Sequence, residues 1–194
     1  MSAENSFLYL EKQIRDLPTA QEKGNAFERL CVSFLRKAPR YRGQFRHVWQ
    51  WNNWPGRWGP DKGIDLVAED RDGKLWAIQC KAISSERSIS KRELDSFLSE
   101  SNRPDFSYRL LLATTDDIGR NARHTIEGQE KPVGLLFRGD LMATEMEWPR
   151  QLGEAPKPSP PKTPKKHQAR AIRDVIKGLH DHKRGKLIMA CGTG

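Results

Sequence analysis

The chain has 194 residues, which is enough for one ordinary domain and part of a second. Its 36% hydrophobic and 30% charged residues, with a mean hydropathy of -0.78, predict a soluble globular protein. Neither a membrane span nor a secretory signal is predicted. The three cysteines are far apart, which argues against a disulfide framework or a zinc site and favours a reducing, cytoplasmic location.

The net charge of +9 is unevenly distributed along the chain. Residues 155–194 carry ten Lys or Arg and two Asp, whereas residues 1–154 are nearly balanced. Within the balanced part, the segment from Arg36 to Lys62 holds seven basic residues and one acid, Asp61. A local basic patch of this kind can follow the phosphates of a nucleic acid.

Two helices are predicted before the first strand. Apolar residues at helical spacing indicate a helix that ends before Pro18. Thr19 and Glu22 then form a capping box, which predicts a second helix that stops at Pro39. This second helix carries its apolar residues on one face, so we expect it to pack against a sheet.

Strands and helices alternate in the centre of the chain. A hairpin turn is predicted at residues 71–73, and a capping box of Ser90 and Glu93 opens a further helix. The strands are predicted at residues 45–51, 64–68, 75–82, 108–114 and 133–137, with further helices at 118–127 and near Leu141. The order α-α-β-β-β-α-β-α-β predicts an α/β fold, a central mixed sheet with helices on both faces.

The composition changes after this domain. Residues 153–166 are rich in Pro and Lys and cannot bury a core, so they are predicted to be an extended linker. The prediction divides the chain into a domain at 1–152, the linker, and the start of another domain at 167–194. That start consists of a helix and a strand that enters a glycine turn.

Polar side chains interrupt two neighbouring predicted strands at one place. Asp65 lies in the first strand, while Gln79 and Lys81 lie two residues apart in the second and project to one face, with Cys80 turned to the other. Asp65 and Gln79 offer the oxygen ligands that hard divalent cations prefer. Lys81 can orient a water or stabilise charge on a phosphate. The pattern predicts metal-assisted phosphodiester hydrolysis.

Other interpretations of these residues stay open at this point. A Lys opposite an Asp on the next strand is also typical of a plain ion pair. Lys81 in an apolar strand nevertheless favours a functional role, because a buried lysine is rare unless it is paired. Glu28 offers a second carboxylate, although its spacing by itself favours a solvated helix residue.

Tryptophan is concentrated in the basic segment before Asp65. Trp49 and Trp51 alternate along a predicted strand and one or both fill core, whereas Trp54 and Trp58 are flanked by Pro, Gly and Arg and are harder to bury. Aromatic residues interleaved with Arg are typical of a nucleic-acid surface. The predicted DNA contacts are Arg42, Arg46, Trp54, Arg57, Trp58 and Lys62.

The residues around the hairpin resemble a known family. G-I-D-L-V-A at 63–68 and I-Q-C-K at 78–81 resemble the core of the Mrr-like branch of the PD-(D/E)xK nucleases. Residues 24–30 resemble the first helix of that branch, and residues 112–115 resemble the strand after its site. The resemblance implies a restriction-endonuclease-like fold and DNA cleavage.

The same resemblance implies a catalytic set and a cofactor. Asp65, Gln79 and Lys81 match the catalytic positions, with Glu28 as a further contributor. Asp65 and Gln79 are the implied ligands of Mg²⁺, for which Mn²⁺ can substitute. Gln79 departs from the wider superfamily, which has Asp or Glu at this position, and an amide is a weaker Mg²⁺ ligand than a carboxylate. The Mrr-like branch often has Gln there, so activity is still implied.

The C-terminal residues resemble the beginning of a superfamily 2 helicase. K-L-I-M-A-C-G-T-G at 186–194 indicates a strand entering a phosphate-binding loop that stops one residue before the expected Lys. The implied nucleotide contacts are Gln168, which would read adenine, and Gly192, Thr193 and Gly194. ATP is therefore implied as a ligand of the full-length motor only.

A Mrr-like nuclease in front of such a motor is the arrangement of the type ISP restriction–modification enzymes. This implies a longer polypeptide with helicase, methyltransferase and target-recognition parts, double-stranded DNA as substrate, and no membrane partner. One site cuts one strand, so a double-strand break calls for a second nuclease copy. Two alternatives stay open: a nuclease–helicase fusion of another phage-defence system, and a DNA-binding module made weak or inactive by Gln79.

Overall fold

The computed structural model describes residues 6–60, 62–154, 157–158, 163–182, 184 and 186–187. The chain divides into one compact unit at Met1–Ser159 and another at Pro160–Gly194. The first unit is a five-stranded mixed sheet with helices on both faces, which confirms the predicted α/β fold. None of the described helices has the apolar length that a bilayer crossing requires.

The helices of the first unit mostly begin and end where their sequence signals predict. Thr19 Oγ1 accepts from the backbone N–H of Glu22 at 3.1 Å, and the Glu22 carboxylate accepts from Thr19 N at 3.0 Å, so this capping box is confirmed. The capping box at Ser90 is only half formed, because Glu93 N bonds the carbonyl of Ser90 and not its hydroxyl. The helices are α1 (Phe7–Arg15), α2 (Ala20–Lys37), α3 (Arg92–Glu100), α4 (Arg120–Glu127) and α5 (Arg138–Ala143).

The central sheet has the strand order β1-β2-β3-β4-β5. Its strands are β1 (Phe45–Gln50), β2 (Leu66–Asp70), β3 (Leu75–Lys81), β4 (Phe106–Ala113) and β5 (Val133–Leu136). The pairs β1–β2 and β2–β3 are antiparallel, and β3–β4 and β4–β5 are parallel. Every strand differs from its predicted bounds by one or more residues, and two of the differences concern the site: Trp51 begins a short 3-10 helix instead of ending β1, and Asp65 lies just before β2 instead of within it.

Side chains of the sheet alternate between two hydrophobic cores. In β4, Leu110 and Leu112 pack with α1, α2 and α5, whereas Leu111 and Ala113 pack with α3 and α4. A strand that is buried on both faces has a nearly continuous apolar sequence, which explains the pattern from which this central strand was predicted.

One residue of β4 breaks its apolar pattern. Arg109 is only 2% exposed, and burial lowers the pKa of its guanidinium. A buried cation of this kind is stable only when its N–H groups find acceptors. The acceptors are the carbonyl oxygens of Leu98, Ser101 and Lys131 and the amide oxygens of Asn102 and Gln129. Arg109 thereby joins the C-terminal ends of α3 and α4.

The first residues of the predicted linker belong to the first unit. Two strands of two residues each, β6 (Met146–Glu147) and β7 (Lys157–Pro158), pair antiparallel beyond α5. In the second unit, α6 (Lys166–Asp181) starts two residues before the predicted helix. The strand and glycine turn predicted at 186–194 fall almost entirely outside the described residues, so the domain boundaries stay a prediction.

Candidate active site

Asp65 is held by backbone hydrogen bonds at the junction of three strands. Its N–H donates to Ile78 O of β3 at 3.0 Å, and its carbonyl accepts from Trp51 N at 2.8 Å. Its carboxylate Oδ2 accepts from the backbone N–H of Cys80 at 2.6 Å, a short charge-assisted bond. Because Cys80 lies between Gln79 and Lys81, the Asp65 carboxylate lies against the backbone of the predicted Gln-x-Lys motif.

Gln79 has a buried oxygen without a protein partner. The residue is 2% exposed and pairs with Leu111 of β4. Its Oε1 is the one buried side-chain oxygen or nitrogen that finds no hydrogen-bond partner among the described residues. Leaving such an atom unsatisfied costs about 1–3 kcal/mol. In a native fold an ordered water, an ion or a ligand normally meets such an atom.

Lys81 is the last residue of β3, where its side chain is partly exposed. Thr114 fixes the backbone that follows it. Thr114 N donates to Lys81 O at 3.0 Å, and Thr114 Oγ1 donates to Ile83 O at 2.6 Å while it accepts from Ile83 N at 2.8 Å. No role for Thr114 was predicted from the sequence. The sequence feature that could have indicated a role for Thr114 is its hydroxyl, directly after an apolar central strand.

Glu28 lies on α2, close to the same part of β3. It is half-buried and accepts from Gln50 Nε2 at 3.2 Å, so it is more enclosed than the solvated helix residue that its spacing favoured. Burial raises the pKa of the Cys80 thiol well above its usual value, and Cys31 and the carboxylates of Asp65 and Glu28 raise it further. The two carboxylates therefore both act on the Cys80 thiol.

The candidate ligands are all hard oxygen donors. Among the described residues there is no group of three or more His, Cys, Asp or Glu that could hold a metal ion. Asp65 and Glu28 both act on the pKa of the Cys80 thiol, and Gln79, with its unpartnered Oε1, directly precedes Cys80 in β3. Mg²⁺ is commonly bound through one or two carboxylates plus further oxygen atoms, so these residues fit such an ion.

The expectation that Trp54 is hard to bury is wrong. Trp54 is 8% exposed, and its ring lies 5.4–5.8 Å from the rings of Trp51, Trp58 and Phe106. Tilted and edge-to-face contacts at these distances stabilise an aromatic cluster. The cluster packs the loop before Asp65 against the hydrophobic core that contains α3 and α4. Trp54 is therefore a core residue and offers no surface for the DNA contact that was predicted for it.

The other predicted DNA contacts are accessible. Trp58 is 38% exposed, although the guanidinium of Arg103 lies 4.0 Å from the centre of its ring, a cation–π contact from the turn before β4. Sequence reasoning did not single out Arg103. The remaining predicted contacts are exposed at Arg42, Arg46, Arg57 and Lys62. Their contact with DNA stays a prediction.

The predicted nucleotide site is described at one residue. Gln168 lies in the first turn of α6, where its Oε1 accepts from Lys165 N at 2.9 Å. Gly192, Thr193 and Gly194 lie outside the described residues. The nucleotide contacts therefore stay a prediction.

Comparison with known proteins identifies the family of the chain. No curated protein matches the chain. Among solved structures, the ATP-dependent type ISP restriction-modification enzyme LlaBIII bound to DNA is 29% identical, with a TM-score of 0.70 over 95% of this chain and 12% of that one. The DNA modification-dependent restriction endonuclease AspBHI is 16% identical, with a TM-score of 0.47 over 73% of this chain and 35% of that one. A family model described as restriction endonuclease (Mrr_cat_2) matches residues 36–157, and the chain therefore belongs to this restriction endonuclease family.

Proposed function

We propose that this chain is the Mg²⁺-dependent nuclease domain of an ATP-driven restriction enzyme. It hydrolyses phosphodiester bonds of double-stranded DNA and nicks one strand per active site. The observation that carries the proposal is the 2.6 Å bond between Asp65 Oδ2 and Cys80 N, because it joins the carboxylate to the strand of Gln79 and Lys81. Membership of the restriction endonuclease family supports the same reaction class.

Each proposed residue has a distinct role. Asp65 and Gln79 would hold Mg²⁺, or Mn²⁺ in its place, with Glu28 contributing from α2. The bound cation would supply charge that polarises the phosphate and lowers the pKa of a water. Lys81 donates from the end of β3, either to the attacking water or to the phosphate oxygen on which charge develops.

The remaining partners belong to a larger protein. The chain spans 12% of the LlaBIII chain, and we propose a similar arrangement with helicase, methyltransferase and target-recognition parts. In that protein Gln168, Gly192, Thr193 and Gly194 would bind ATP, and a second nuclease copy would complete a double-strand break. The proposed DNA contacts are Arg42, Arg46, Arg57, Trp58 and Lys62. This function suits a cytoplasmic location.

The test is nicking of supercoiled plasmid by the full-length protein with Mg²⁺ and ATP. We expect the wild type to produce open circles, whereas Asp65→Ala and Lys81→Ala bind DNA without cutting it. Lys74→Ala is the matched control, since Lys74 is an exposed lysine at the opposite end of the same hairpin. It should cut like the wild type.

Two outcomes would overturn the proposal. A wild type that binds plasmid but never cuts it, with Mn²⁺ as well, would make the domain a DNA-binding module with an inactive site. A protein that still cuts after Asp65→Ala and Lys81→Ala would have its active site elsewhere. Equal losses in Lys74→Ala would show that the variants act through folding.

A further inference from the structure

A groove of about 350 Å³ opens along the outer edge of β1, beside Glu28. Its walls are α2, the end of β1 with the turn that follows, and residues 152–154. None of the functions discussed above uses it. Its polar lining consists of Arg29, Ser33, Arg36, Gln50, Asn53 and Glu154.

The α2 side of the groove presents cations in one stripe. Arg29, Ser33 and Arg36 are four and three residues apart, so they lie on the same face of the helix. Arg36 Nη2 donates to Val48 O at 2.5 Å and so covers the outer edge of β1. Arg29 is exposed, and the described residues offer it no hydrogen bond or ion pair. Its charge is therefore available to a ligand.

One side chain connects the groove to the proposed active site. Gln50 lines the groove and donates to Glu28 Oε2 at 3.2 Å. Arg29 directly follows Glu28 on α2. The groove is therefore the concave surface next to a DNA phosphate that is bound near Glu28.

The chemistry of the lining selects an anion that also makes hydrogen bonds. Two guanidinium groups, a hydroxyl and two amides face a single acid, Glu154. The volume lies at the lower end of the roughly 300–1,000 Å³ of small-molecule sites. We propose that the groove binds one nucleotide of the DNA strand next to the scissile phosphate, with Arg29 on its phosphate and Ser33 and Asn53 beside its sugar and base. This inference rests on the proposed nuclease function.

Salt dependence of DNA binding tests the phosphate contact without any need for cleavage. The full-length protein binds a labelled duplex in EDTA at several salt concentrations. Because log K falls as log salt rises, each lost phosphate contact decreases the magnitude of this negative slope by about 0.9. We expect this decrease for Arg29→Ala but not for Arg29→Lys, which keeps the charge. Arg92→Ala removes an exposed arginine at the start of α3 and is the control with an unchanged slope.

Ser33→Phe tests whether the groove itself is occupied. The larger side chain fills the groove and leaves both arginines in place, so we expect plasmid nicking to fall at least about tenfold with an unchanged melting temperature. An unchanged slope in Arg29→Ala would overturn the proposal. A changed slope together with wild-type nicking by Ser33→Phe would also overturn it, because Arg29 would then be a surface contact beside an empty groove. Failure of the nuclease function is recognised separately, as a wild type that binds but does not cut.

Discussion

The two ends of the β2–β3 hairpin use an aspartate in different ways. At the turn, the Asp70 carboxylate accepts from the backbone N–H groups of Asp72 at 3.0 Å and Lys74 at 2.9 Å, and from Trp76 Nε1 at 3.2 Å. Partial burial works to raise the pKa of Asp70, but the hydrogen bonds outweigh it and the pKa lies below its usual value. The carboxylate at the turn is thus used to close the turn.

At the open end, Asp65 also accepts from a backbone N–H of β3, but its neighbour Gln79 keeps a buried oxygen without a protein partner. The carboxylate at the turn therefore has hydrogen-bond partners within the protein, whereas the open end contains a buried amide oxygen for which the described residues supply none. An aspartate bonded to a strand is therefore a candidate catalytic residue only through its surroundings.

The largest expected effect separates the two aspartates. Asp65→Asn keeps an oxygen that can accept from Cys80 N but removes the charge, so we expect a folded protein with plasmid nicking reduced at least about 100-fold. Asp70→Asn is the isosteric control at the other end of β2. Nicking at a temperature where both variants are folded is the measurement. Loss of cleavage in both variants would remove the distinction between the two ends.

The next effect concerns the residue that fixes the chain after Lys81. Thr114→Val keeps the shape but removes the hydroxyl that bonds Ile83, so Lys81 loses part of its backbone support. We expect about a tenfold lower rate of nicking, with unchanged DNA affinity, from this small misplacement. Thr114→Ser restores the hydroxyl and should restore the rate.

Thr144→Val is the control for Thr114→Val. Thr144 Oγ1 bonds Asp140 O at 2.8 Å on a half-exposed helix end. Thr144→Val loses one side-chain hydrogen bond, worth about 1 kcal/mol of stability, whereas Thr114→Val loses both bonds to Ile83 and should be destabilised more. Equal nicking rates in the two variants would mean that Thr114 contributes to folding alone.

A smaller effect is expected at Gln79. Gln79→Met has nearly the same shape but no buried oxygen to leave unsatisfied, so we expect the metal-free protein to gain about 1 kcal/mol of unfolding free energy. Nicking should be lost at the same time. Urea unfolding in EDTA, with Gln13→Met at a hydrogen-bonded glutamine as the control, checks the sign. A destabilised Gln79→Met protein would mean that the oxygen is satisfied within the fold.

The smallest effect is the pH dependence that Asp70 contributes. Its pKa in the folded protein is lowered, so its ionised form stabilises the fold above the unfolded pKa of about 3.9. This stability is lost as the pH falls through the folded pKa. The difference in unfolding free energy between wild type and Asp70→Asn should therefore shrink from pH 7 to pH 3 in urea titrations. A constant difference would contradict the assignment.

Local sequence signals predicted much of the fold and of the site. The Thr19 capping box, the hairpin turn after Asp70 and the apolar run of β4 each depend on neighbouring residues alone, and each is confirmed. Strand periodicity also identified Gln79 and Lys81 as residues of one face. The order of elements then predicted a mixed sheet, because short connections leave few ways to arrange them.

Other features depend on residues that are distant in the sequence. Trp54 is buried because Phe106 supplies the ring that covers it, and Arg109 is buried because two helix ends supply its acceptors. Neither partner lies within the local pattern of the residue concerned. Thr114 likewise acts on a segment about thirty residues away, which no periodicity of β4 reveals.

The sequence by itself determined the family and the α/β layer order, and it predicted which residues could bind a cation, because these depend on residue type and on the short-range geometry of strands and helices. Only the tertiary structure decided that Asp65 bonds the backbone between Gln79 and Lys81, that Gln50 reaches Glu28, and that Trp54 belongs to the core. The physical reason is that satisfaction of a polar group and burial of a ring depend on which distant atoms fill the space around them.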